Sequence, residues 1–320
     1  MHLIRSLIIC SLLISLSIYA PYKAFFDHVP QNKNLVINIE RGDTIYEVFS
    51  LFLPINFANK LFLKIYSLRN DINLIQYGEY QIGNKSILDI INLIKSGETI
   101  THKLKINEGL NIYDIENLIN DSYLINDCSF LKCINTNLSF REGILYPDTY
   151  FYKKGMSASK ILNESHARLE NYLNNKLKNK STYTSLNKEE VLILASIIEK
   201  EAGNDDEKSK IASVFLKRLS IGMRLQADPT IIYGLLPNFD GDIKKSDILD
   251  KNNKYNTYMI NGLPPTPISI SSISSINASI DSLPGDYLFF VADSKTSHYF
   301  SKTYEEHLNK INELGLNKWK

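Results

Sequence analysis

NKEEVLILASIIEKEA, Asn187 to Ala202, reads as a helix with both ends marked. Asn187 is a good N-cap, and Glu190 follows three residues later, as in a capping box. Gly203 suits the position just past the last turn. From Val191 to Ile198 nearly every side chain is apolar, so the helix is buried almost all round. It ends in Glu199-Lys200-Glu201. A carboxyl at the end of a buried helix is partly desolvated, which raises its pKa and favours the protonated form. A general acid needs that form at neutral pH. Two acids compete for the role. Glu201 continues the stripe Leu194-Ile197-Ile198, and Glu199 continues Leu192-Ala195-Ser196. Periodicity does not choose between them, and the plain alternative is that both are solvated charges at a frayed end.

Downstream, residues 206–220 carry Ile211, Val214, Phe215 and Leu219 at core spacing, which predicts a second helix ended by Gly222. Gln226-Ala227-Asp228-Pro229-Thr230 is a turn or helix start. Gln226, Asp228, Thr230 and Tyr233 are polar groups among apolar ones, and the later loop Tyr255-Asn256-Thr257-Tyr258 adds more. Tyr and Asn in loops suit sugars, whose hydroxyls take hydrogen bonds and whose C–H faces stack on rings. Two apolar strands follow, near Tyr287–Asp293 and His298–Phe300.

Upstream, one rhythm repeats four times. Val36–Ile39 leads through Gly42-Asp43-Thr44 to a helix at Ile45, and Lys103–Ile106 leads through Gly109-Leu110-Asn111 to a helix at Ile112. Looser echoes start at Tyr80 and at Phe151. Each is a strand, a turn, a capping residue and an amphipathic helix. INIERGDTIYEVFSLF, residues 37–52, resembles the opening of a LysM module, a small glycan-binding fold; capping chemistry alone also yields this pattern. Between residues 164 and 186 the chain turns polar, which places a boundary near Ser185.

Ser6 to Tyr19 is an apolar run preceded by Arg5 and followed by Lys23. It reads as a short uncleaved membrane anchor with a cytoplasmic N-terminus; the alternative is a cleaved signal peptide, which Pro21 and the lack of an A-x-A site disfavour. Cys128 and Cys133 either pair or stay as free thiols, and without a neighbouring cluster they do not suggest zinc. With 36 basic and 35 acidic residues among 320, the chain lacks the basic excess that nucleic acid usually requires. Its 44% hydrophobic and 22% charged residues fit a folded protein.

LASIIEKEA, then IASVFLKRLSIGMRLQADPTIIYG, then YNTYMINGLPP, then YLFFVADSKTSHYFSKTYEEH, with EGILYPDTYFY at 142–152, resemble in order and spacing the endolytic murein transglycosylases, the YceG-like or MltG family. The likeness runs from about residue 34 to the end. The chain departs from the family pattern at Thr266, at Ser271-Ser272 and at Thr296-Ser297. The resemblance implies an α+β protein: an N-terminal transmembrane helix (1–22), a small LysM-like α/β domain (34–120), a connecting region (121–185) and a mixed α+β catalytic domain (186–320). It implies a single-pass inner-membrane protein facing the periplasm, acting on peptidoglycan glycan strands beside peptidoglycan synthases, without cofactor or metal. A lone acid would cleave the MurNAc–GlcNAc bond to leave 1,6-anhydro ends. Lytic transglycosylases carry a Glu followed by a small residue, which Glu201-Ala202 matches and Glu199-Lys200 does not. Glu201 is therefore the expected catalytic acid, with Gln226, Asp228, Thr230, Tyr233, Asn256 and Tyr258 as expected sugar contacts.

Overall fold

The computed structural model describes residues 16–30, 34–70, 75–178, 186–294 and 296–316. It is a mixed α and β structure in two compact units, Met1–His102 with Phe151–Met156, and Lys103–Tyr150 with Ser157–Lys320. The units therefore divide at residue 102, not near 120 and 185. Most of the expected connecting region belongs to the second unit. The physical reason lies in the third repeat, whose turn is tied to later chain: Gly109 N donates to Ile270 O, and Ile270 N to Leu110 O.

All four repeats form, with a shared turn chemistry. The strands are β1 (Val36–Ile39), β2 (Gly78–Gln81), β3 (His102–Ile106) and β4 (Asp148–Tyr152). They lead to α2 (Ile45–Ser50), α4 (Ile87–Ser96), α5 (Ile112–Asn120) and α6 (Ala158–Lys178). Two residues before each helix-entry position, Thr44, Ser86, Asn111 and Ser157, the backbone is left-handed: Gly42, Asn84, Gly109 and Gly155. Asn84 tolerates this conformation better than most side chains, which is how the second repeat dispenses with glycine there. Thr44, Ser86 and Asn111 each close a capping box with Glu47, Asp89 and Asp114.

In the first unit β1 and β2 pair antiparallel, with Ile37 opposite Tyr80. Ile37, Ile39 and Tyr80 are buried with Phe49, Leu63 and Ile90. A helix over residues 16–27, α1, brings Tyr22 and Phe26 against α3 (Phe57–Asn70): the Tyr22–Phe62 and Phe26–Tyr66 ring centroids are 5.5 and 4.9 Å apart. The expected anchor falls largely on residues 1–15, outside the described residues. Among the described residues no helix is long and apolar enough to cross a membrane.

In the second unit the spine is α7 (Lys188–Glu201), capped by the Asn187–Glu190 box, with every side chain from Val191 to Ile198 buried. Around it lie α8 (Lys208–Ser220), α9 (Asp228–Leu235) and α11 (Ile273–Asp281). The short α10 spans Lys245–Leu249. The antiparallel pair β5 (Phe289–Ala292) and β6 (His298–Ser301) precedes α12 (Tyr304–Glu313). Gly203 follows α7 as expected, but without a left-handed φ. Its need is space: a Cβ there would lie 2.9 Å from the Thr296 carbonyl. Cys128 and Cys133 are joined by a disulfide.

Glu142 is a buried carboxyl that stitches α5 to α9. It accepts from Ile112 N at the start of α5, from Gly143 N and from the Tyr233 hydroxyl of α9. Burial nevertheless pushes its pKa up to about 7. A carboxyl raised above its unfolded value of 4.5 stabilises the fold fully below that value, and the contribution is lost as pH rises through about 7. Thermal melts from pH 4 to 8 should therefore show stability falling across this window, with Glu142 supplying on the order of 3 kcal/mol of the change. Glu142→Gln should flatten the slope.

Candidate active site

The last residue of α7 opens onto a cleft of about 410 Å³. Glu201, Arg218 of α8, Gln226, Asp228 and Tyr258 line one part of it; Phe289–Ala292 of β5, with His298, Tyr304 and His307, line the rest. Glu201 is half-buried and receives no hydrogen bond from the described residues. Burial, reinforced by the negative charge of Asp228, pushes its pKa up to about 8; Arg218 opposes this. The group is thus a neutral acid at neutral pH.

Glu199, two residues earlier, has the opposite character. It accepts hydrogen bonds from Ser272 N (2.9 Å), Ser275 Oγ (2.6 Å) and Lys208 Nζ (3.3 Å), and from the Ser272 hydroxyl. Burial works against ionisation here too, yet these donors and the Lys208 charge bring its pKa below the usual carboxylate value. Ser272 caps α11, so Glu199 is an ionised anchor holding α11 to α7. The residue choice that helix periodicity left open is made by partners distant in sequence.

The structure brings Glu201, Gln226, Asp228 and Tyr258 together, and places the other three expected contacts elsewhere. Thr230 is fully buried: its hydroxyl donates to Ala227 O at 2.6 Å and meets Thr257 Oγ1 at 2.9 Å. Asn256 is also fully buried, its amide donating to the carbonyls of Asp247, Ile248 and Asp250. Tyr233 is spent on Glu142 and packs edge-on against Tyr255 at 4.8 Å. These polar residues cluster in the sequence because they lock two loops together, not because they face a sugar. Ala227 N completes the lock by donating to Thr257 Oγ1 at 2.9 Å.

The lock holds Gln226 at φ +51°, a left-handed conformation that costs a non-glycine residue on the order of 1 kcal/mol. The Tyr258 hydroxyl donates to Asp228 Oδ1 at 2.7 Å, fixing the acid beside Glu201. Sequence reasoning missed Arg218, His298, His307 and the β5 wall as cleft residues. Arg218 carried a signal: it continues the buried α8 stripe of Ile211 and Phe215, where a charged residue is out of place unless held. It donates to the carbonyls of Leu288 and Leu225. Among the described residues no group of three His, Cys, Asp or Glu is placed to hold a metal ion.

Residues 37–313 match the model of the YceG-like family. The chain belongs to that family. A crystal structure of a yceG-like protein from Listeria monocytogenes aligns at 29% identity and a TM-score of 0.57, covering 87% of this chain and 99% of that one. A Bacillus subtilis protein named endolytic murein transglycosylase is 37% identical over 177 residues, 54% of this chain and 47% of that protein. One of the same name from Streptococcus pneumoniae is 32% identical over 176 residues, 52% of this chain and 31% of that protein. The match thus spans about half or less of the length of the Bacillus and Streptococcus relatives.

Asp228→Asn removes the like charge beside Glu201 and should lower the Glu201 pKa by about one unit, read by carbon-13 NMR of its carboxyl. Asn256→Ala removes the buried donor shared by three carbonyls and should cost on the order of 1 kcal/mol in chemical denaturation. An unchanged denaturation midpoint would return Asn256 to the list of ligand contacts.

Proposed function

We propose that this chain is an endolytic lytic transglycosylase that cleaves the MurNAc–GlcNAc bond of nascent peptidoglycan strands, leaves 1,6-anhydro-MurNAc ends and so terminates strand elongation. The observation that carries the reading is the Glu201 carboxyl: raised to about 8, unbonded and open to a cleft. Such a group can protonate a glycosidic oxygen at neutral pH. In the same cleft, Asp228 and the rings of Tyr258 and Tyr304 offer a hydrogen-bond acceptor and stacking faces for sugars. Family membership and the names of the Bacillus and Streptococcus relatives support the same chemistry.

The first unit acts as a LysM-like module on the glycan, residues 1–22 anchor the chain in the cytoplasmic membrane, and both units face the cell wall beside peptidoglycan synthases. The Cys128–Cys133 disulfide supports an oxidising compartment. The experiment is digestion of purified glycan strands followed by mass spectrometry of the ends. Anhydro ends are expected. Reducing ends would mean a two-carboxylate hydrolase with Asp228 or Glu199 as the second acid, and no cleavage a glycan-binding scaffold. Glu201→Gln should fold normally and lose roughly 10²–10⁴ in rate, whereas full activity would remove Glu201 from the chemistry.

A further inference from the structure

The helix that opens the first unit projects from it at its start. In α1 every residue from Leu16 to Pro21 is exposed, and burial begins at Tyr22, Phe25 and Phe26. Leu16, Ile18 and Tyr19 are thus large apolar side chains left mostly uncovered by the described residues. A helix that is apolar all round belongs in a core or in a membrane. These residues also end the apolar run Ser6 to Tyr19, and Lys23 follows them.

α3 shares this end of the unit. The Tyr22 and Phe62 rings lie 5.5 Å apart, Phe25 and Phe62 5.8 Å, and Phe26 and Tyr66 4.9 Å. One turn along α1, from Tyr22 to Phe26, matches one turn along α3, from Phe62 to Tyr66. The two helices therefore run side by side in the same direction. With the same rise per residue in both, that pairing sets Phe57 about level with Ser17 and Leu61 about level with Pro21. Phe57 opens α3 and is 84% exposed, more than any other large apolar side chain among the described residues. Leu61, one turn on, is exposed on the same face.

The charges follow in order. Lys60, Lys64 and, on α1, Lys23 are all exposed just behind the apolar tip. α3 carries Arg69 in its last turn and no acidic residue anywhere. Apolar side chains first and lysines a turn behind match the order in which a bilayer presents hydrocarbon and then phosphate. A second copy of the chain fits this end poorly, because pairing like tips would bring the lysines together.

Building on the reading of residues 1–22 as an anchor, we propose that the start of α3 is a second membrane contact. Phe57 and Leu61 enter the boundary between headgroups and acyl chains beside α1, and Lys23, Lys60 and Lys64 bind the phosphates of anionic lipids above it. The first unit then rests on the bilayer instead of hanging from a single helix.

The test uses the full chain in vesicles of phosphatidylcholine and phosphatidylglycerol, with or without bromine on the acyl chains as a quencher. Trp319, the one tryptophan of the chain, is replaced by Phe. Phe57→Trp or Leu68→Trp then supplies the reporter. Leu68 is 79% exposed on the same helix, about three turns further from the tip. Phe57→Trp should lose emission to the brominated lipid and shift to the blue, and Leu68→Trp should do neither. Lys60→Glu with Lys64→Glu should reduce the quenching at position 57. Equal emission of Phe57→Trp in brominated and plain vesicles would overturn the proposal while the protein still floats with them. Equal quenching at both positions would also overturn it, because α3 would then lie flat. Quenching unchanged by the two lysine reversals would remove the phosphate contact. A full chain that fails to float with the vesicles after a high-salt wash would sink the anchor reading itself, and the docking with it.

Discussion

Two carboxyls at the end of one helix obey opposite electrostatics, and the site depends on that difference. Glu199 and Glu201 are two residues apart, which on an α-helix turns them about 200° from each other. Both lose water. Glu199 is compensated by two serine hydroxyls, a backbone N–H and a lysine, so it stays ionised and ties α11 to α7. Glu201 has no such donors: burial and a second negative charge outweigh the Arg218 charge.

Much of this arrangement could be read in the chain. The four strand–turn–helix repeats form because each turn chemistry is local. A left-handed residue and a capping side chain two positions later are decided within about ten residues. The α7 caps and its apolar run were legible for the same reason. Domain borders were not, because the third repeat looks identical to the first until its partners at Ile270 and Glu142 are known. The site was half legible. Gln226, Asp228 and Tyr258 meet Glu201, but Thr230, Tyr233 and Asn256 have the same composition and a different duty. A buried hydroxyl that locks two loops and an exposed one that meets a sugar are the same letter in a sequence.

A cleft that must hold a neutral acid, a left-handed Gln226 and a desolvated Arg218 concentrates unfavourable terms in a small volume. Such terms persist only where the surroundings over-determine the geometry. The Thr230–Thr257–Ala227 knot and the three-carbonyl grip of Asn256 supply that determination. The loops richest in polar residues are therefore rich for two reasons at once, one facing the cleft and one facing the core behind it.

The same logic applies to the β5–β6 side. Its contribution is rigidity: the Phe290 ring is packed between Phe215 of α8 and the His298 imidazole. α8 begins directly after Glu207, so one short segment of chain sets Lys208 on Glu199 and Glu207 on His298. A shift of that segment would disturb the anchor and the imidazole together. Residues 207 and 208 thus hold the end of α7 and the His298 ring at once.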